Sequence, residues 1–335
     1  MKVRADGALS DEREAHRARL QLLSSDAGSD ANPDPTQEYP VMAEALQRRV
    51  LITGAEGMLG RDLATEVEAA GCAVTSTSRR QLDITDQRAC FDAVAGHDFV
   101  LNAAAFTAVD SAETHHNTAM LTNATGAENL ARASAAAGAV LVQYSTDFVF
   151  SGNSKGPYPE DAPVSPLNAY GRSKAEGERL ARAANPDGTI VLRTAWLYGE
   201  HGTNFVDTII RLYREHGVLT VVDDQHGQPT WARDLARQTM RMLDAGVRSG
   251  ILHGTNAGAT TWHGFARAIV ENLGGDPAAV VPTDSEHVAR PARRPANSVL
   301  ALDGWARHGL TPMRPWRVAL DEAMGEGIFS GPSSR

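Results

Sequence analysis

The sequence predicts an α/β fold, a doubly wound parallel sheet followed by a smaller carboxyl-terminal lobe. Three observations carry this reading. From Arg49 onward short apolar runs alternate with helical patterns. The first run, Val50, Leu51 and Ile52, leads into three glycines, Gly54, Gly57 and Gly60, at three-residue spacing. Beyond Trp196 the alternation loosens. Short apolar runs suit strands buried on both faces, and strands alternating with helices build parallel sheets covered on both sides.

Composition narrows the function classes. The 335 residues are 42% hydrophobic, 22% charged and 6% aromatic, enough for a sizeable core in one large or two modest domains. With 41 acidic against 32 basic residues the formal net charge is −9, so no global basic field invites nucleic acid or an anionic membrane, and an anionic ligand must be met locally. Cys72 and Cys90 make neither a C-x-x-C pair nor a metal-ligand spacing. They read as reduced packing residues of a cytoplasmic protein without a metal site. No run approaches the ~18 apolar residues of a membrane span, and the first residues lack the apolar core of a signal peptide.

The elements follow in order. Residues 1–46 are rich in charge, Ser, Asp, Asn and Pro, which cannot bury enough apolar area to offset chain entropy; a disordered extension, with one helical turn near 12–23, or an upstream mis-start is expected. After the glycines, Leu59, Leu63 and Val67 recur at i, i+4, i+8 on a helix ending near Gly71. Strands are expected over 73–77, 98–102, 140–145 and 189–194. Helices are expected over 86–95, 118–137 (closed by Gly138), 169–184, 204–216, 233–245 and 261–273.

Chemistry attaches to the ends of these strands. Backbone that approaches a pyrophosphate closely requires residues without Cβ, and the unpaired N–H groups of a helix's first turn meet its charge, which casts Gly54, Gly57 and Gly60 as a phosphate turn. The second strand ends in Ser78-Arg79-Arg80, without the carboxylate that would hold an NAD ribose; Arg79 and Arg80 suit a 2′-phosphate, so NADPH is expected, with NADH as the alternative. Asp83 is placed at the adenine edge, or else it or Asp86 caps the next helix. Asn102-Ala-Ala-Ala105 ends the third strand with small residues against which a flat ligand can lie. After Ser145-Thr146-Asp147, Tyr170 and Lys174 stand at i, i+4 on one helix face. An ammonium beside the phenol would depress its pKa of about 10 by about 3 units, and Thr146 would hold the carbonyl that Tyr170 protonates.

Glycine turn, Asn-Ala-Ala-Ala, Ser145-Thr-Asp-Phe-Val-Phe150 and Tyr170-x-x-x-Lys174 together resemble the extended short-chain dehydrogenase/reductase family, and within it the dTDP-4-dehydrorhamnose reductases. Further matching stretches are Leu82-Asp-Ile-Thr-Asp86, Ala105-Phe-Thr-Ala-Val-Asp110, Arg193-Thr-Ala-Trp-Leu-Tyr198, Asp224-Gln-His-Gly-Gln-Pro-Thr230, Arg294-Pro-Ala-Asn-Ser298 and Pro315-Trp316. The resemblance implies a Rossmann-like dinucleotide-binding domain over 47–197, with the helix near 231–245 packing back on it, and a mainly substrate-binding lobe over 198–330. It implies NADPH-dependent reduction of the 4-keto group of a dTDP-4-keto-6-deoxyhexose, and leaves room for a homodimer. It makes Thr146, Tyr170 and Lys174 catalytic. It adds Met58, Leu59, Ile84, Ala104, Ala105 and Thr107 to the cofactor site. It assigns Val109, Asp147, Phe148, Trp196, Asn204, Gln225, Pro229 and Arg294 to the substrate. On composition alone, Arg290, Arg293 and Arg294 are candidate cations for its diphosphate, with a plain basic loop as the alternative.

Two departures stand in one loop: His226 replaces the usual aromatic and Gln228 a small residue, which makes that loop more polar and leaves the particular sugar open. Elimination chemistry is disfavoured because Phe148, not Glu, follows Asp147. An epimerase, or a regulator like that of methionine adenosyltransferase, remains the alternative. Gly152-Asn-Ser154-Lys-Gly156 satisfies a nucleophile-elbow pattern, but Pro157 and Pro159 prevent the helix that must follow it. His115 and His116 are adjacent and point apart, as on a solvated helix face.

Overall fold

The computed structural model describes residues 47–329; the extension expected over 1–46 lies outside the described residues. Six parallel strands make the central sheet: β1 (Arg49–Thr53), β2 (Ala73–Thr77), β3 (Phe99–Asn102), β4 (Val140–Thr146), β5 (Thr189–Thr194) and β6 (Gly250–His253). Their order is β2-β1-β3-β4-β5-β6. Thr53 at the end of β1 lies opposite Thr77 on one side and Asn102 on the other, so the connections reverse direction between β1 and β3. A crevice opens at such a reversal, outside the carboxyl ends of the strands. Strand β6 was not expected from the sequence: three residues after Gly250 are too short a run to stand out, and only their pairing with β5, Ile251 opposite Val191, makes them a strand.

Helices cover both faces. They are α1 (Met58–Ala69), α2 (Gln87–Val94), α3 (Gly126–Ala137), α4 (Ala169–Ala184), α5 (Phe205–His216), α6 (Ala232–Asp244), α7 (Trp262–Asn272) and α8 (Trp316–Gly325). Side chains alternate across a strand, so Val50 and Ile52 of β1 face α1 and α6, where they meet Leu63, Val67, Leu235 and Leu243. Leu51, pointing the other way, packs with Cys90, Leu130 and Ala181 of α2, α3 and α4. Sequence caps set the helix starts: the side chains of Asp86, Asn168 and Asn204 accept from backbone N–H groups three residues on, at 3.1, 2.7 and 3.1 Å.

One expected helix is composite. The stretch expected as a continuous helix over 118–137 consists of a short helix His116–Met120, a π-helical turn Leu121–Thr125, and α3. Gly177 of α4 packs so closely on this turn that a Cβ there would overlap the Asn123 carbonyl. The wider turn aims the Asn123 amide at the loop after β3: its oxygen accepts from Phe106 N at 2.8 Å and its Nδ2 donates to Phe106 O at 3.0 Å and Ser173 Oγ at 2.9 Å.

The rest of the chain builds a second core from Tyr198, Ile209, Trp231, Phe265, Ile269 and Leu320. Its largest strand pair joins Leu219–Val222 to Val280–Thr283 in parallel. Among the described residues no helix is long and apolar enough to cross a membrane.

Candidate active site

Two cavities adjoin at the carboxyl ends of the strands. The first, about 590 Å³, runs along the β1–β3 crevice. Gly54 stands at φ 67°, and a Cβ on it would lie 2.6 Å from Ala104 N, so the turn and the β3 loop approach as only glycine allows. A Cβ on Gly60 would overlap the Gly54 carbonyl, which fixes α1 against the turn. Gly57 is the N-cap of α1 and provides no side-chain cap, so the first-turn N–H groups face the cavity without a protein partner from that residue. Met58 and Leu59 line it on the same side.

Across the cleft stand Ser78, Arg79, Asp83 and Ile84 beyond β2, and Ala104, Ala105 and Thr107 beyond β3. Ser78 is buried and Arg79 exposed, while Arg80 does not line the cleft and points to solvent, contrary to the expectation for it. Asp83 accepts from Thr85 N at 3.0 Å and Thr85 Oγ1 at 2.8 Å, which holds its carboxyl below the usual range; the capping role falls to Asp86. This donor set fits a phosphorylated dinucleotide: close-packed glycines, a free helix N-terminus, and a hydroxyl and a guanidinium directly after β2, ahead of the first carboxylate, Asp83.

Tyr170 and Lys174 close the inner end of the cleft, one turn apart on α4 as the spacing predicts. The expected coupling between them is absent. Lys174 is buried and its Nζ donates to the Tyr144 carbonyl at 2.6 Å; burial pushes its pKa down to about 8, against the opposing charge of Glu178. Burial pushes the Tyr170 phenol up to about 12, a hydrogen bond with Thr146 offsets part of this, and the nearby Asp147 charge adds to it. Thr146 Oγ1 also donates to Asp147 Oδ1 at 2.9 Å and accepts from Phe148 N at 3.2 Å. Asp147 is buried with Oδ2 lacking a partner, and burial raises its carboxyl to about 6.

Phe148 meets Tyr170 edge-on, ring centroids 6.0 Å apart, and lines the second cavity, about 470 Å³. Here Trp196 stacks on Trp262 at 3.6 Å, beside Phe205 and Ile209, and Gln225, Arg290 and Arg294 line the same space. Trp196 has φ 45°, the one positive φ outside glycine among the described residues, and Gly227 leaves the space its indole fills. Backbone strain of this kind gathers at ligand sites. Arg294 is paired with Asp110 at 2.9 Å, next to the half-buried Val109 at the start of the short helix Val109–Ala112. Arg293 lies outside this lining and contributes its carbonyl to Asn168 Nδ2 at 2.9 Å.

Three expectations about this lobe are corrected. Asn204 lines neither cavity; it is buried as the cap of α5, with Nδ2 donating to Gly199 O at 3.0 Å. Pro229 is buried and likewise lines neither. Gln228 does not make the sugar loop polar, because its amide is buried and exchanges hydrogen bonds with the Leu300 backbone at 2.8 and 3.2 Å. Sequence reasoning missed Asn123, Trp262 and Glu178, whose contacts come from distant segments. The Gly152–Gly156 pattern stays in a loop with no helix after it, and a Cβ on Gly152 would lie 2.5 Å from Pro295.

Fold and site together define an oxidoreductase of the extended short-chain dehydrogenase/reductase class. Within that class the chain belongs to the RmlD substrate binding domain family, whose model matches residues 48–328. It is 48% identical over 281 residues to a dTDP-4-dehydrorhamnose reductase of Streptomyces griseus, covering 82% of this chain and 92% of that one. It is 44% identical to a dTDP-4-keto-6-deoxy-D-glucose reductase of Streptomyces niveus, covering 82% and 96%. A crystal structure of dTDP-4-dehydrorhamnose reductase from Bacillus anthracis in complex with NADP superposes with a TM-score of 0.80 at 34% identity, over 84% of this chain and all (100%) of that one.

Proposed function

We propose that this chain reduces the 4-keto group of a dTDP-4-keto-6-deoxyhexose with NADPH. One observation carries the reading: Tyr170 stands where the two cavities adjoin, its helix in the glycine-lined cleft and its ring against Phe148 of the aromatic cavity. NADPH supplies the hydride when bound; the first-turn N–H groups of α1 would hold its diphosphate, Ser78 and Arg79 its 2′-phosphate, and Lys174 its nicotinamide ribose. The preference over NADH is supported by the missing carboxylate after β2.

The proton is the protein's task. With its phenol at about 12, Tyr170 is protonated at neutral pH and donates to the carbonyl oxygen as charge develops there. Thr146, beside the same phenol, would orient that oxygen. The tyrosinate left behind is buried and requires a cation, which Lys174, uncoupled from the neutral phenol, would supply from one turn away on the same helix; water reprotonates it once product leaves. The names of the relatives supply the sugar class, and the second cavity supports it. A nucleoside diphosphate requires an aromatic surface for its base and cations for its phosphates, and Trp196, Trp262, Arg290 and Arg294 line one space. The two Streptomyces relatives carry different sugar names, so the hexose is stated only as a 4-keto-6-deoxy sugar.

Tyr170→Phe tests this. Oxidation of NADPH by a dTDP-4-keto-6-deoxyglucose substrate should fall by about 100- to 10,000-fold, while NADPH affinity by fluorescence titration stays within about twofold. Turnover retained in Tyr170→Phe would remove Tyr170 as the proton donor.

A further inference from the structure

Beneath the two cavities lies a buried ion pair to which the proposed chemistry assigns no role. Glu178 sits on α4 one helical turn beyond Lys174 and is buried. Arg193 of β5 meets its carboxylate fork to fork, Nε to Oε1 at 2.9 Å and Nη2 to Oε2 at 2.7 Å. Ser145 of β4 donates its hydroxyl to Oε1 at 2.5 Å. Arg193 also donates Nη1 to the Glu160 carbonyl at 3.0 Å, and its guanidinium lies 4.9 Å from the Phe150 ring centre, so the pair is shut off from water. Burying two charges is costly, and a hydrophobic pair of the same volume would commonly serve stability as well or better. Its placement suggests another role: Ser145 is the neighbour of Thr146, and Glu178 is four residues from Lys174 and eight from Tyr170.

We propose that Glu178 is a positioning residue of this reaction, which joins the end of β4 to α4 through Ser145 and Arg193 and presents to Lys174 the negative charge that its ammonium otherwise lacks. The reaction assigned to Lys174 rests on the reading above; its charge state does not. Lys174 touches no carboxylate directly, and its one polar contact is the Tyr144 carbonyl. Among the groups around it, Glu178 is the one whose charge opposes the burial that lowers its pKa. The other carboxylates packed against α4 are engaged elsewhere: Glu113 accepts from Ala169 N at 2.7 Å and Asp110 pairs with Arg294 at 2.9 Å. Leu121–Thr125 carries no titratable side chain. The Tyr144 phenol turns through the sheet to Thr239 of α6 at 2.9 Å. Asp147 acts on Tyr170. Removing the Glu178 charge therefore lowers the pH at which Lys174 loses its proton.

The sequence makes this directly measurable, because it holds three lysines, Lys2, Lys155 and Lys174. In ligand-free protein carrying [13Cε]lysine, NMR titration should show one signal, identified by its loss in Lys174→Met, titrating near pH 8. In Glu178→Gln that midpoint should fall by about one pH unit or more, a tenfold change in proton affinity, while Glu178→Asp keeps it near the wild-type value. Should Glu178→Gln alone leave the guanidinium unpaired and fail to fold, Glu178→Gln with Arg193→Met removes both charges and should show a fall in the same direction, smaller because the repulsion of the guanidinium goes with it. The alkaline limb of kcat for keto-sugar reduction should move with it. A Lys174 midpoint unmoved in either folded variant would overturn the proposal and leave the pair a purely structural contact, whatever happens to Tm. A shifted midpoint in a protein that reduces no dTDP-4-keto sugar would instead overturn the function and leave the role of Glu178 toward Lys174 standing.

Discussion

Asp62 and Asp147 are buried carboxylates that each leave one oxygen without a hydrogen-bond partner, and burial raises both to about 6. The sign of the consequence follows from which state holds the proton. A carboxyl whose folded pKa lies above its unfolded value of 3.8 binds protons more tightly when folded, so the contribution to stability falls as pH rises through the interval between the two. For Asp147 alone the drop between about pH 5 and about pH 8 is on the order of 1–2 kcal/mol. Asp147→Asn should flatten the pH profile by that amount, read from urea denaturation at both pH values, and an unchanged slope would place the raised carboxyl elsewhere. Tyr170 and Lys174 show what was legible at this scale. The i, i+4 spacing placed both on one helix face, but the target of the ammonium, the Tyr144 carbonyl, is 30 residues away in sequence and no local pattern points to it.

The glycine turn is an element whose function and whose packing impose the same demand. Gly60 and Gly57 are interchangeable as letters in the motif, yet they differ in what a methyl group would meet. At Gly60 it overlaps the Gly54 carbonyl and also lies 2.7 Å from Ala55 Cα, whereas at Gly57 it stands 3.3 Å from the Gly54 carbonyl alone. Gly60→Ala should therefore push α1 off the turn, costing about 1–3 kcal/mol as overpacking does, and weaken NADPH binding; Gly57→Ala should cost less in both. Calorimetry and fluorescence titration of the two variants check the order, and equal losses would show that the turn adapts. The strand–turn–helix unit was legible because its periodicity, its glycines and its ligand chemistry lie within twelve residues. The π-helical turn Leu121–Thr125 was not, because the contact it makes is with Gly177 on a helix that comes later in the chain, and alanine-rich sequence by itself reads as an ordinary α-helix. The same holds for the cap Asn204: an Asn before an apolar helix reads equally as a cap or as a ligand, and the hydrogen bond its side chain accepts from Asp207 N decides it.

At the scale of the whole molecule, sequence order and spatial order part. A boundary near residue 197 follows from the loss of strand–helix alternation, and it places every glycine-turn and Tyr170 residue on one side. The core does not respect it. Helix α6 and strand β6, both beyond that boundary, supply Leu235, Ala236, Met242, Leu243 and Leu252 to the same cluster as Val50, Ile52, Leu63 and Val142, and Trp305 and Met313 complete it. Without α6 that face of the sheet would meet water along Ile52, Val142, Tyr144 and Leu192. The Tyr144 phenol would lose Thr239, and the edge of β5 would be left unpaired where β6 now lies. An ion pair closes the same seam, Arg237 of α6 reaching Glu66 of α1 at 3.0 Å, while Asp234 ties α6 to the segment before α8 by taking both Nε and Nη2 of Arg314 at 2.8 and 3.0 Å. A fragment of residues 47–197 should therefore fail to fold as an independent nucleotide-binding domain, although it contains the whole glycine turn and both Tyr170 and Lys174. Residues 47–329 should melt in a single cooperative transition whose midpoint rises with NADPH, since a ligand that binds only the folded state stabilises it by mass action. Calorimetry of the two chains is the check. A cooperative, NADPH-shifted transition in the shorter one would mean that α6 and β6 decorate a core the first five strands complete by themselves.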